Sequence, residues 1–409
     1  MKTLKLALSA LGTALILAGC GGGGSGTASS NSLGLTSMVV FGDSLSDAGA
    51  YKVGLIAAIG GGTHTVNSPT SRIWTDLIAA QYNLPRPCAA QTGLLSIIPG
   101  IAAVPVQNFS GCTNYAQGSA RVTNPAGPKS FAVQQGVIAA VKAGGGTDAQ
   151  AAQAAIASDA GIGLMALPLV NQMANHLKAA GGTYSGKELV TILAGGNDTF
   201  LNLNGVSAAA AGGAAAAGAA QFAGWPAGVQ ASVAAGGAAA AGAAQQAAVA
   251  GMAQAANELV TAINTQLLGK GAKYVVVVNL PDVSQIPLTA AFDPATRGFV
   301  NLLVTTFNST LNTGLAGKPG VLLVDAYTQN REQLANPGQY GLSNVTTLAC
   351  STTSPANPLA GASLGCTAAS LIAGDTSRYA FADDVHPTPY AHQLLAQFVA
   401  KNLALAGWL

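Results

Sequence analysis

The chain has 409 residues, of which 50% are apolar, only 8% are charged and 52 are glycine. A disordered chain would show high charge and low apolarity, so this balance excludes disorder and leaves enough apolar surface for a sizeable core. Seventeen basic residues against fifteen acidic ones provide no basic footprint for nucleic acid, and four histidines exclude a metalloenzyme rich in imidazole ligands.

Residues 1–19 read as a leader. Lys2 and Lys5 precede an apolar run, Leu6 to Ala18, that is too short for a permanent membrane helix and fits a secretory signal. Removing that leader takes away both lysines and leaves fifteen bases against fifteen acids. The run ends in Leu17-Ala18-Gly19-Cys20, which resembles the lipobox of bacterial lipoproteins, where the cysteine sulfur takes a diacylglycerol. The resemblance implies a lipid anchor at Cys20, and Gly21 in place of a retention aspartate implies the outer membrane. An ordinary cleavage site followed by a spare cysteine, with a secreted product, is the alternative. Residues 20–36 then form a flexible tether rich in Gly, Ser and Thr.

Without Cys20, the cysteines are Cys88, Cys112, Cys350 and Cys366, an even number in a chain that has left the cytosol. Three pairings are possible. Cys88 with Cys112 and Cys350 with Cys366 is preferred, because each closes a short loop worth roughly 3 kcal/mol; free buried thiols are the alternative.

Downstream, apolar runs stop abruptly at polar turns. Met38 to Phe41 ends at Gly42-Asp43-Ser44, Leu189 to Leu193 at Gly195-Gly196-Asn197-Asp198, and Tyr274 to Val278 at Asn279-Leu280-Pro281-Asp282; Val321 to Val324 is a fourth such run. Helical spacing occupies Ile73 to Tyr82, Leu164 to Ala180, Met252 to Leu268, Phe299 to Leu311 and Pro389 to Leu405. Strands alternating with helices predict an α/β fold, a doubly wound parallel sheet with helices on both faces and its site at the carboxyl ends of the strands. This domain spans 37–409.

One segment breaks the rhythm. Ala210 to Gln221 and Ala234 to Gln245 carry the same twelve letters, AAGGAAAAGAAQ. Alanine favours helix and each glycine costs about 1 kcal/mol, so two weak helices joined at Ala223 to Pro226 are expected within an Ala/Gly-rich insertion, 206–251. Phe222 and Trp225 at its tip either meet a lipid or substrate, or staple the hairpin to the core.

Four separated fragments carry the chemistry. Ser44 follows a strand in a turn where its hydroxyl can point outward, although a serine there is commonly a turn former. Asp383 lies three residues before His386, a spacing that lets the carboxylate meet the imidazole Nδ1 and leave Nε2 to take a proton from a serine. His64, His176 and His392 are scattered and His-Glu-x-x-His is missing from the sequence, so no metal and no cofactor is assigned. Gly60 to Gly62 and Gly144 to Gly146 lack the Lys-Ser/Thr of a phosphate loop and read as connections.

Together these fragments resemble the GDSL family of serine esterases and lipases, also called SGNH hydrolases, from about Met38 to Leu405. Gly42-Asp43-Ser44-Leu45 is similar to the first block, Asn114-Tyr115-Ala116-Gln117-Gly118 to the second, Gly195-Gly196-Asn197-Asp198 to the third, and Asp383 with His386 to the last. The resemblance implies a three-layer sandwich, a Ser44–His386–Asp383 triad, and an oxyanion site made by the Ser44 and Gly118 amides and the Asn197 side chain. Two positions depart from the pattern: Ser119 replaces a second glycine common in the family, and Asp384 rivals Asp383 as the acid. Asp198 reads as a turn residue. The implied reaction is hydrolysis of acyl esters by a monomer through an acyl-enzyme, with glycan deacetylation or acyl transfer open to the same triad. An inert tethered binding scaffold is the reading from another class.

Overall fold

The computed structural model describes residues 31–96, 102–157 and 162–409. The leader, Cys20 and most of the expected tether lie outside the described residues. Four strands form the main sheet: β1 (Ser37–Gly42), β2 (Glu188–Leu193), β3 (Tyr274–Val278) and β4 (Val321–Val324), all parallel and adjacent in that order. In register, Phe41 lies opposite Ile192, Ile192 opposite Val277, and Val277 opposite Leu323.

Side chains alternate between two covered faces, which is why each strand reads as a continuous apolar run. Val39, Phe41, Val190, Ile192, Val275 and Val277 pack on one face against Met173, Met252, Leu259, Phe307 and Leu311 of the helices Leu169–Ala179, Gly237–Ala262 and Pro294–Leu315. On the other face Met38, Val40, Leu189, Leu193, Val276 and Val278 meet Trp74 and Ile78 of the helix Trp74–Gln81, and Val399 and Leu403 of Pro389–Leu405. The expected α/β sandwich is therefore the observed one.

Beside β1, the segment around Asn114 adds one parallel bridge: the Val40 N–H donates to Thr113 O at 3.0 Å and the Tyr115 N–H to Val40 O at 2.8 Å. The chain thus leaves β1 to one side for residue 114 and returns on the other side as β2. Such a reversal opens a crevice at the carboxyl end of β1, where Ser44 emerges.

The disulfides join Cys88 to Cys112 and Cys350 to Cys366, the preferred pairing. The first closes the base of an antiparallel hairpin, Gln91–Leu94 with Val104–Asn108, in addition to the four expected strands. A second difference concerns Leu164 to Ala180: the helix starts only at Leu169, after Pro168. Proline disfavours helical backbone at Leu167, the residue before it, and Ala166 stands at φ +50°, so the helix does not extend back through them.

The repeat forms three helices rather than two: Gly213–Ala223, Ala227–Ala235 and Gly237–Ala262, the last running unbroken into the core helix expected from Met252. Helices break at Gly212-Gly213 and Gly236-Gly237, where φ is +69°, +78°, +75° and +82°, a backbone open to glycine at no steric cost. The two pairs touch each other: a Cβ on Gly212 would lie 2.9 Å from the Gly236 Cα. Trp225 is buried against Gly205, and its indole N–H donates to Asn202 Oδ1 at 2.7 Å, while Phe222 packs over Gly136. The aromatic pair is therefore a staple. Among the described residues, no helix is long and apolar enough to cross a membrane.

Candidate active site

Ser44 sits two residues beyond β1 in a turn organised by Asp43, whose carboxylate accepts the Leu45 N–H at 3.0 Å and whose carbonyl accepts the Ser46 N–H at 3.1 Å. Gly42 has no room for a side chain, since a Cβ there would lie 2.6 Å from Leu193 O. Its peptide is clamped by Gln172, which accepts the Gly42 N–H at 3.0 Å and donates to Gly42 O at 2.9 Å. No sequence signal marked Gln172.

The carboxyl-terminal fragment closes on this turn from the other end of the chain. Ser44 Oγ and His386 Nε2 are 2.9 Å apart, and His386 Nδ1 lies 2.9 and 3.0 Å from the two Asp383 oxygens. Asp383 also accepts the His386 N–H at 2.7 Å, the Val385 N–H at 3.0 Å and the Ser363 N–H at 2.7 Å. Burial pushes the Asp383 carboxyl up, but the charge and hydrogen bonds of His386, with the bonds from Ser363, outweigh it and hold the group well below the usual carboxylate range. Asp383 is thus an anion suited to fix the Nδ1–H tautomer and to offset an imidazolium. Asp384 makes no such contact: its carbonyl accepts the Leu288 N–H at 2.9 Å, and burial, then the Asp383 charge, raises its carboxyl.

Asn197 lies in the first turn of the helix Gly196–Ala209, just past the end of β2, facing the same crevice. One of its amide hydrogens goes to Ala120 O at 2.9 Å, which orients the group and leaves the other hydrogen for a ligand. Gly118 departs from expectation. Its N–H donates to the buried Asp47 carboxylate at 2.9 Å, and a backbone N–H aimed at an internal carboxylate is not available to an oxyanion. Ser119, the next residue, lines the crevice at φ +68°, and neither its N–H nor that of Ser44 has a hydrogen-bond acceptor among the described residues. The Ser119 departure from the family pattern was visible in sequence; what it signalled was not.

Asp198 is more than a turn residue. Its carboxylate accepts from Arg121 Nε at 2.9 Å and from the Val122 N–H at 3.1 Å, with both side chains buried. Arg121, a lone cation in an otherwise uncharged stretch, was the overlooked signal. Of the scattered histidines, His64 alone joins the site: its ring centroid lies 4.9 Å from that of His386.

Around these groups is a cavity of about 530 Å³. Phe200, Leu203, Leu280, Val283, Ile286 and Phe292 form an apolar wall, while Asn204, Gln329 and Gln333 lie on its polar side. Residues 206–251 contribute nothing to its lining, so the insertion is not a lid on this cavity.

No curated protein matches the chain. A family model described as GDSL-like Lipase/Acylhydrolase matches residues 38–399, which takes in every fragment brought together in the crevice. A match over so much of the chain places this protein in the GDSL-like lipase/acylhydrolase family, as an ester-bond hydrolase.

Proposed function

We propose that the protein is a lipolytic carboxylesterase that cleaves acyl esters through an acyl-enzyme on Ser44. The observation that carries this reading is the continuity of the apolar cavity wall with the 2.9 Å contact between Ser44 Oγ and His386 Nε2. Ser44 attacks the ester carbonyl as its proton passes to His386 Nε2, and Asp383 offsets the imidazolium that forms. The developing oxyanion is held by the Ser44 and Ser119 N–H groups and the free Asn197 amide hydrogen, with Ser119 replacing Gly118 in that role. His386 then protonates the leaving alcohol, and water repeats the sequence in reverse on the acyl-enzyme. Each methylene buried along Phe200, Leu203 and Val283 contributes roughly 0.8 kcal/mol, so longer acyl chains bind better until the cavity is filled.

The anchor belongs to the same reading. A diacylglycerol on Cys20 would hold the enzyme at the outer membrane of the cell envelope, close to lipid esters, and the support for it is the Leu17-Ala18-Gly19-Cys20 sequence. Fatty-acid labelling that is lost in Cys20→Ser supports the anchor; equal labelling of the variant rejects it.

A fluorophosphonate probe tests the chemistry, with labelling at Ser44 that disappears in Ser44→Ala. A chain-length series of p-nitrophenyl esters, run beside acetylated xylan, tests the substrate. Rising kcat/KM with chain length supports the acyl reading; cleavage of the acetylated sugar alone makes the protein a glycan deacetylase instead.

A further inference from the structure

His64 lies beside His386 at the cavity lining and has no part in the steps above. It is 6% exposed, and its ring is tilted 36° to that of His386 at a centroid distance of 4.9 Å. Its other side meets the Gly118 turn closely: a Cβ on Gly118 would lie 2.3 Å from His64 Nε2 and 2.8 Å from Cε1. The glycine of the second block is therefore required by the imidazole beside it, whereas its N–H serves Asp47. His64 Nε2 is buried without a hydrogen-bond partner and points toward Asp47 Oδ2 at 3.9 Å.

Asp47 and Tyr51 brace that turn. Asp47 accepts the Gly49, Ala50 and Gly118 N–H groups at 2.8, 2.7 and 2.9 Å, and the Tyr51 hydroxyl donates to Gly118 O at 2.8 Å. The Tyr51 ring stands edge-on to His64 at 6.2 Å. His64 thus fills the space between a braced loop and an imidazole whose hydrogen bonds all lie at its edges. Nothing in those edge bonds stops the His386 ring from tipping about the line joining Asp383 to Ser44; a ring packed on its face does.

We propose that His64 is a positioning residue for His386, an imidazole wedge that transmits the rigidity of the Asp47–Gly118 turn to the plane of the reacting ring. The inference rests on the assignment of Ser44 and His386 as the reacting pair. Neutrality follows from the surroundings: burial first, then the His386 charge, holds His64 well below the usual imidazole range, with Lys129 adding to this and Asp383 opposing it. The groups facing it are Asp47, Tyr51, Asp383, Lys129 and His386. A cation at this place would repel the imidazolium formed in each turnover, while a neutral ring supports it.

His64→Ala should lower kcat about 10²-fold, the scale expected for a small misplacement of a reacting group, with KM unchanged. His64→Phe, which restores a ring face without nitrogen, should recover at least about tenfold of that loss. The His386 Nδ1–H proton signal should be sharp in the wild type, broadened in the alanine variant and sharpened again in the phenylalanine one. If the alanine variant does not fold, His64→Gln, which fills volume without a ring, takes its place. A folded ringless variant with wild-type kcat and an unbroadened signal overturns the proposal, as does a phenylalanine variant no better than alanine. Fluorophosphonate labelling of the wild type separates the two readings: an unlabelled wild type removes the reacting pair itself, whereas a labelled wild type with indifferent His64 variants removes only the wedge.

Discussion

Arg121 and Asp198 form a buried ion pair at 2.9 Å that joins the second and third sequence blocks, one residue beyond Asn197. The remaining guanidinium nitrogens donate to Phe222 O at 2.7 Å and Ala223 O at 3.0 Å, capping the last turn of the helix Gly213–Ala223. One side chain thus ties the Ala/Gly-rich hairpin to the helix that carries Asn197. Arg121→Ala leaves a buried carboxylate and two unpaired carbonyls, so unfolding free energy should fall by about 3–5 kcal/mol. Denaturant titration checks this; a loss under about 1 kcal/mol would mean that the pair is solvated.

Asn197→Ala removes one donor from the proposed oxyanion site and should lower kcat about 10²- to 10³-fold. The lost bond to Ala120 O is a single neutral one, so stability should fall by only about 1 kcal/mol. Steady-state kinetics with parallel thermal melts separate the two effects, and an equal loss of activity and fold would assign Asn197 a structural role alone.

Asp43 produces a pH effect of predictable sign. Burial, opposed by the Leu45 N–H, pushes its carboxyl up from the ordinary 3.8 to about 7. The folded chain therefore holds this proton more tightly than the unfolded one, and the resulting stability is fully present below about pH 4 and is lost as pH rises through about 7. Asp43→Asn carries no charge at any pH and keeps an acceptor for Leu45. Its Tm relative to wild type should be higher at about pH 8 than at about pH 5; a constant difference would show that the carboxyl titrates alike in both states.

The Cys350–Cys366 bridge closes a 16-residue separation whose loop delivers the Ser363 N–H to Asp383 at 2.7 Å. Replacing both cysteines with alanine should cost about 3 kcal/mol in stability. It should also lower kcat at temperatures where the variant is still folded, because Asp383 loses a fixed donor. Unchanged kcat would show that the loop holds its place without the bridge.

The four strands were legible because both faces of a parallel sheet are covered, so each strand is a short apolar run that ends sharply where the backbone enters the site. Ser44, Asp383 and His386 were legible because a strand-end serine and an Asp-x-x-His spacing are local patterns, as was the pairing of cysteines close in sequence. Four features were not local. Gln172 clamps Gly42 from 130 residues away, and Arg121 finds Asp198 across 77. His64 reaches His386 only through the fold, and the choice between the Gly118 and Ser119 amides depends on where the Asp47 carboxylate lies. Sequence by itself determined which chemical groups the protein possesses and where its strands stop, since these follow from side-chain type and nearest neighbours. Only the tertiary structure decided which hydrogens face the crevice and which are spent inside, because a buried donor goes to whichever acceptor packing brings within about 3 Å, however distant along the chain.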